Sequence, residues 1–193
     1  MWGKDIQFAL IRLQQVDNFE RLFAKFDCEN VMLNYYLGCQ AREDTEHTTY
    51  LIIDQKQKLL IGYVSFQCSG MMTMTRDSKH WRLTSPAIQI SYFALDSRYH
   101  HLLFDSKIPH FYLSDAIFRT IFALLQKIAR ETIAAKYIVA YSLPDAEKFY
   151  RRRGFRSFDE YTGMIAHTDQ TKKAVADESI FIRECIPMYL PID

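Results

Sequence analysis

The chain has 193 residues, 24 Lys and Arg against 23 Asp and Glu, a formal net charge of +1, and 49% apolar or aromatic residues. That length and composition fill one core, so a single domain over 1–193 is expected, while the near-neutral charge excludes a strongly basic body and no run approaches the roughly 18 apolar residues of a membrane span. Cys28, Cys39, Cys68 and Cys185 form no C-x-x-C pair, which argues against a zinc site and a disulfide framework, and Lys4, Asp5 and Arg12 break any signal-peptide layout, so a soluble, cytoplasmic protein with reduced thiols is expected.

Residues 5–13 alternate, with Ile6, Phe8 and Leu10 on one side, and predict a first strand. Asp17 or Asn18 can cap a helix carrying Phe19, Leu22, Phe23 and Phe26, and Asn30 a second one carrying Met32, Leu33, Tyr36, Leu37 and Gln40, with a charged exit at Arg42 to Glu46. Thr48 to Asp54 and Lys58 to Cys68 are β-rich, and Asp54-Gln55-Lys56-Gln57 between them has the polarity of a hairpin turn, so the two should pair antiparallel. Gly70 to Ser85, with Met71, Met72, Met74 and Trp81, is less regular and is expected to be a covering loop. Ala87 to Leu95 is a long apolar strand suited to the middle of a sheet.

From Leu113 the period becomes helical, with Ile117, Ile121, Leu124, Leu125 and Ile128 on one side and Ser114 or a neighbour opening the helix. Lys136 to Ser142 is a strand, so strand, helix, strand over 86–142 favours a right-handed crossover between parallel strands. Pro144, Asp145 and Glu147 then start a short helix, Arg151, Arg152 and Arg153 oppose its negative end, and Gly154 can take the left-handed stop. Arg156 to Ile165 suggests another strand, Thr168 to Ser179 a polar loop, and Ile182 to Ile192 a closing strand.

Two motifs carry a family resemblance. Ala146, Phe149, Tyr150, Gly154 and Phe155 stand in the register A-x-x-F-Y-x-x-x-G-F, which resembles the end of the acetyl-transfer core of GNAT acetyltransferases. Phe26-Asp27-Cys28, with Leu33, Tyr36 and Leu37, resembles the F-D-C-G entry of a GNAT branch that includes toxins acetylating aminoacyl-tRNA; Glu29 stands where that branch has glycine. The predicted element order agrees with the GNAT fold over nearly the whole chain. It implies an α/β (α+β) architecture: a mixed, mostly antiparallel central sheet flanked by helices, with a parallel strand pair at the coenzyme cleft.

The resemblance implies transfer of an acetyl group from acetyl-CoA to a primary amine by direct attack in a ternary complex. Tyr150 is then the acid that protonates the departing thiolate, Ser142 a group that orients the thiol or a water, and the backbone of Phe93, Ala94 and Leu95 the binding edge for the thioester and pantetheine. The Gln89-Ile90-Ser91-Tyr92 stretch has no carboxylate, so the general base is unassigned among Glu147, a water chain and buffer.

The family's glycine-rich pyrophosphate loop is missing, since no glycine occurs from Met71 to Arg153. In one account Leu113, Ser114 and Asp115 present free N–H groups at a helix start, and Arg98, His100, His101 or Lys107 neutralise phosphate charge. In the other, Asp105 and Asp115 repel the anion, Phe111 and Tyr112 fill the cradle, and the domain is a silent binding module. His100 and His101 have no third ligand at metal spacing and are expected to be loop histidines. A homodimer is left open, no membrane partner is expected, and tRNA is the one nucleic acid the resemblance admits.

Overall fold

The computed structural model describes residues 6–74, 81–105, 107–158, 164–165 and 185–192. In chain order these form β1 (Phe8–Arg12), α1 (Phe19–Phe23), α2 (Val31–Tyr35), β2 (Thr48–Asp54), β3 (Leu60–Met74), β4 (Trp81–Leu95), α3 (Leu113–Ile128), β5 (Tyr137–Ser142), α4 (Glu147–Arg151), β6 (Arg156–Ser157), β7 (Met164–Ile165) and β8 (Ile186–Pro191). The strands hydrogen-bond in the order β1-β2-β3-β4-β5-β8-β6, with β7 on β3. One neighbouring pair is parallel, β4 with β5, in a register running from Ala87↔Tyr137 to Ile90↔Ala140. The pairs β1–β2, β2–β3, β3–β7, β5–β8 and β6–β8 are antiparallel.

The chain clusters into two compact units, Met1–Phe66 with Ser91–Leu124 and Gln67–Ile90 with Leu125–Asp193. In the first, Leu13, Phe19, Phe26, Tyr36, Leu37, Leu51, Leu60 and Tyr63 build the core. The aromatic face expected of Phe19, Phe23 and Phe26 is realised, but α1 stops at Phe23, and Phe26 reaches the core from the turn that follows, through a bond from its N–H to the Phe23 carbonyl at 2.8 Å. Asn30 caps α2 by accepting from the Leu33 N–H, after which Tyr36–Gln40 widens into a π-helical turn closed by Ala41 N–H to Tyr36 O at 2.9 Å. The β2–β3 turn is held by Asp54, whose Oδ1 accepts from the N–H groups of Lys56 and Gln57 at 2.8 and 3.0 Å. At Gly62 an added Cβ would lie 2.4 Å from the Ala94 carbonyl oxygen, so β3 approaches the end of β4 as only glycine permits.

In the second unit Ala87 and Val139 pack with Tyr137, Tyr141, Phe158 and Tyr189. The expected covering loop over Gly70 to Ser85 is corrected here. β3 continues to Met74 and β4 begins at Trp81, and Met71 and Met72 pair with Ile165 and Met164. Alternation is weak in a methionine-rich stretch, and a strand that gains its partner from residues some ninety positions away shows no local period. Of the strand expected over Arg156 to Ile165, Arg156–Ser157 pairs with β8 and Met164–Ile165 with β3, while residues 159–163 lie outside the described residues. The polar loop expected at Thr168 to Ser179, and the first residues of the closing strand from Ile182, lie outside the described residues.

Candidate active site

In the second unit, α4 is punctuated as its sequence requires. Pro144 opens a 3-10 turn that runs into the helix, with Ala146 N–H bonded to Leu143 O at 2.9 Å. At the far end Gly154 has φ +88, its N–H reaches Arg151 O at 3.0 Å and the Phe155 N–H reaches Tyr150 O at 3.3 Å. These two crossed bonds form a Schellman stop, and the apolar contact that accompanies such a stop is Phe155 on Tyr150, with ring centroids 5.2 Å apart. Glycine and phenylalanine of the motif therefore hold the tyrosine, which is 7% exposed.

Burial, partly offset by the positive Arg153, pushes the Tyr150 phenol well above its ordinary pKa, so it stays protonated. Arg153 itself lies over the Phe149 ring, 3.3 Å from its centroid. Arg151 bonds Glu147 Oε1 at 2.6 Å, which commits that carboxylate to an ion pair within the helix. Ser142 is fully buried at the end of β5, and its hydroxyl donates to the Leu143 carbonyl at 2.9 Å.

In the first unit, the end of β4 is tied to the Phe26-Asp27-Cys28 segment. Asp96, 1% exposed, accepts from Arg98 N–H and Nε on Oδ1 at 3.0 and 2.6 Å, and from Asp27 N–H and Arg98 Nη2 on Oδ2 at 3.1 and 2.8 Å. Asp27 in turn accepts from Glu29 N–H and Asn34 Nδ2, both at 2.8 Å, and Asn34 Oδ1 takes the Cys28 N–H at 3.1 Å. Burial opposes ionisation of Asp96, but the Arg98 guanidinium and the Asp27 and Arg98 N–H groups prevail and hold its carboxyl below the usual range. Glu29 has φ 62, a left-handed conformation that explains why glycine suits this position.

Beyond Asp96 the expected glycine-free loop is a closed excursion. Leu103 bridges Tyr112, Phe104 N–H reaches Phe111 O at 2.8 Å, and the rings of Phe104 and Phe111 meet edge to face. Arg98 is committed to Asp96 and to the Lys25 carbonyl at 3.0 Å, and His100 Nε2 lies 2.9 Å from the Leu95 carbonyl oxygen. His101 takes a left-handed φ of 55. The Phe93 ring packs on Phe118 of α3 at 5.8 Å. Lys107, an exposed residue, donates its N–H to Asp105 Oδ1 at 2.8 Å.

The expectation of free N–H groups from Leu113 to Asp115 is corrected for two of the three. Leu113 N–H donates to Leu102 O at 2.8 Å and Asp115 N–H to Tyr112 O at 2.9 Å. Asp115, rather than Ser114, secures the helix start, its Oδ2 accepting from Tyr112 N–H at 2.8 Å.

One constellation was not legible before folding. Asp44 Oδ2 lies 2.8 Å from His47 Nδ1, and His47 Nε2 lies 3.0 Å from Ser91 Oγ, all within the first unit. The local signal is a D-x-x-H step entering β2. Its serine partner is 44 residues further along the chain.

No protein-family model matches the chain, and neither does any curated protein sequence. Solved structures do match. A structure described as a bacterial toxin superposes with a TM-score of 0.66 at 16% identity, covering 97% of this chain and 92% of that one. AtaTR bound with AcCoA gives 0.62 at 12% identity over 97% and 94%. AtaT complexed with acetyl-methionyl-tRNAfMet gives 0.61 at 13% identity over 88% and 99%. This chain shares the fold of these structures, a GNAT-like one: a mixed sheet with a parallel β4–β5 pair and flanking helices.

Proposed function

We propose that this chain is a single-domain acetyltransferase that moves the acetyl group of acetyl-CoA to a primary amine by direct attack in a ternary complex. The observation that carries the reading is Tyr150, presented by a short helix after β5 in a GNAT fold, buried, kept protonated, and fixed by the Schellman stop at Gly154. A neutral amine attacks the thioester carbon, the C–N bond forms, the C–S bond breaks, and the thiolate takes the phenolic proton. The backbone of Phe93, Ala94 and Leu95 receives the thioester and pantetheine. Ser142, bonded to Leu143 O, shapes the end of β5 that leads into the Tyr150 helix. Lys107 offers its positive charge to the coenzyme phosphates, His100 and His101 their ring nitrogens, and Ser114 its backbone N–H; Arg98 acts by holding Asp96.

A finer reading takes the amine to be the α-amino group of an aminoacyl-tRNA. It is favoured by the Phe26-Asp27-Cys28 knot at the end of β4 together with the fold shared with AtaT, a structure of which contains acetyl-methionyl-tRNAfMet. The test is acetyl transfer from radiolabelled acetyl-CoA to an aminoacyl-tRNA pool, and in parallel to polyamines and peptide N-termini. Transfer to any of these that is lost in Tyr150→Phe supports the acetyltransferase reading, and transfer confined to the tRNA pool supports the finer one. A well-folded protein that transfers to none is the silent module that the self-closed start of α3 would suit.

A further inference from the structure

We propose that Asp44, His47 and Ser91 form a proton relay that removes the ammonium proton of the acceptor, with Ser91 touching the amine, His47 as terminal proton acceptor and Asp44 as positioning residue; this rests on the acetyltransferase reading above. Amines are protonated at neutral pH and an ammonium cannot attack a carbonyl, so the reaction needs a base. The nearest carboxylate to the motif tyrosine in sequence, Glu147, is paired with Arg151, and the strand Gln89 to Tyr92 has none.

The geometry has the three parts of such a relay in order. Asp44 is held ionised and aimed: Oδ1 accepts from the N–H groups of Glu46 and His47 at 2.8 and 3.0 Å, and Oδ2 from the Tyr36 hydroxyl at 2.9 Å. Burial raises its pKa, but these donors and the neighbouring imidazole outweigh it and leave the carboxyl below its usual range. A carboxylate 2.8 Å from Nδ1 fixes the tautomer with the proton on Nδ1, which leaves Nε2 as the lone-pair nitrogen facing Ser91 Oγ at 3.0 Å. The ring plane is set by Tyr92, which is tilted against His47 at 5.5 Å and stacked on Tyr36 at 3.8 Å. Burial pushes Tyr36 up to about 12, so it remains a donor to Asp44. Among the described residues, the titratable groups shown facing His47 are Asp44 from its own loop, Tyr36 from the π-helical turn and Tyr92 from β4. Both flanking ionisable side chains of the relay are largely buried, whereas Ser91 is only half-buried, on the strand that leads to Phe93–Leu95.

The step balances without a further reagent. The ammonium proton passes to Ser91 Oγ as the serine proton passes to His47 Nε2, giving an imidazolium beside the Asp44 carboxylate. The neutral amine then forms the C–N bond, the C–S bond breaks, and the leaving thiolate takes a proton from solvent. The adduct's surplus N–H proton and the imidazolium proton are both released to solvent, so that one proton is given up overall.

The experiment measures kcat for acetyl transfer to the aminoacyl-tRNA pool and the polyamine and peptide panel as a function of pH, in the wild type, His47→Gln, Asp44→Asn and Ser91→Ala. Acetyl-CoA affinity and thermal melting are measured in parallel. The relay predicts a fall in kcat of about 100-fold near neutrality for His47→Gln and Ser91→Ala, with acetyl-CoA affinity unchanged. It also predicts that the deficit shrinks steadily as pH rises, because an amine already neutral needs no base; a merely structural role would give a deficit independent of pH. Added imidazole should restore activity to His47→Ala. A wild type that transfers acetyl while His47→Gln matches it at every pH overturns the relay and leaves the acetyltransferase reading standing. An acetyl group trapped on Ser91 overturns it in favour of a covalent route. A wild type that neither binds acetyl-CoA nor transfers acetyl overturns both.

Discussion

Replacing Asp96 with alanine removes the carboxylate that joins the Asp27 turn to the end of β4. Four donors meet its two oxygens, at 2.6 to 3.1 Å, and it is 1% exposed. Hydrogen bonds to a charged group contribute about 1.5–3 kcal/mol each, and breaking a buried ion pair costs about 3–5 kcal/mol. Arg98 is 45% exposed, so water recovers much of its loss, while the Asp27 N–H keeps no carboxylate to meet. The net expectation is a destabilisation of about 3 kcal/mol, read as a lower urea midpoint with unchanged slope. The sign with pH follows from the depressed carboxyl. Its contribution is complete above the ordinary value of 3.8 and is lost as pH falls through the lower folded value, so the gap between wild type and variant should close in acid. A variant within 0.5 kcal/mol of wild type at pH 7, by the same urea titration, would refute the knot as a support for the site.

Three further outcomes follow from the same geometry. Gly154→Ala places a side chain at φ +88 with its Cβ only 3.4 Å from Leu190 Cδ1, so the cost is backbone strain rather than a clash; a loss of about 1 kcal/mol is expected in urea melts, and no loss would mean that the stop on α4 does not depend on the left-handed residue. Glu29→Gly relieves the left-handed φ of 62 and should leave stability equal or raise it by up to about 1 kcal/mol, whereas a clear loss would show that the Glu29 side chain supports the fold. Tyr150→Phe should keep the melting temperature and acetyl-CoA affinity but lower kcat about 100-fold; equal turnover removes the phenol from the mechanism.

The parts of the fold that were legible in the sequence are those whose signal is local. β2 spans the expected Thr48–Asp54, α3 begins at the expected Leu113, and the cap on α2 is Asn30. The motif around Tyr150 was readable as a helix stop because a Schellman turn is encoded by adjacent residues, Gly154 and Phe155. What remained hidden depends on distant partners. Leu102 closing the start of α3, Asp27 meeting Asp96, and His47 meeting Ser91 join residues 11 or more positions apart. The extension of β3 and β4 across the methionine-rich stretch was missed because β-pairing, not residue period, makes those residues strands. Arg98 looked available for phosphate on charge alone, and only the fold supplies Asp96 as its partner.

The central test of an acetyltransferase is titration of the protein with acetyl-CoA and with the non-reactive desulfo-coenzyme A, followed by calorimetry and by amide exchange across residues 98–113. Saturable binding of both is expected, weaker as salt rises, with slowed exchange in the loop that carries His100, His101 and Lys107. Millimolar coenzyme that neither binds nor slows exchange in a cooperatively folded protein would contradict the acetyltransferase reading.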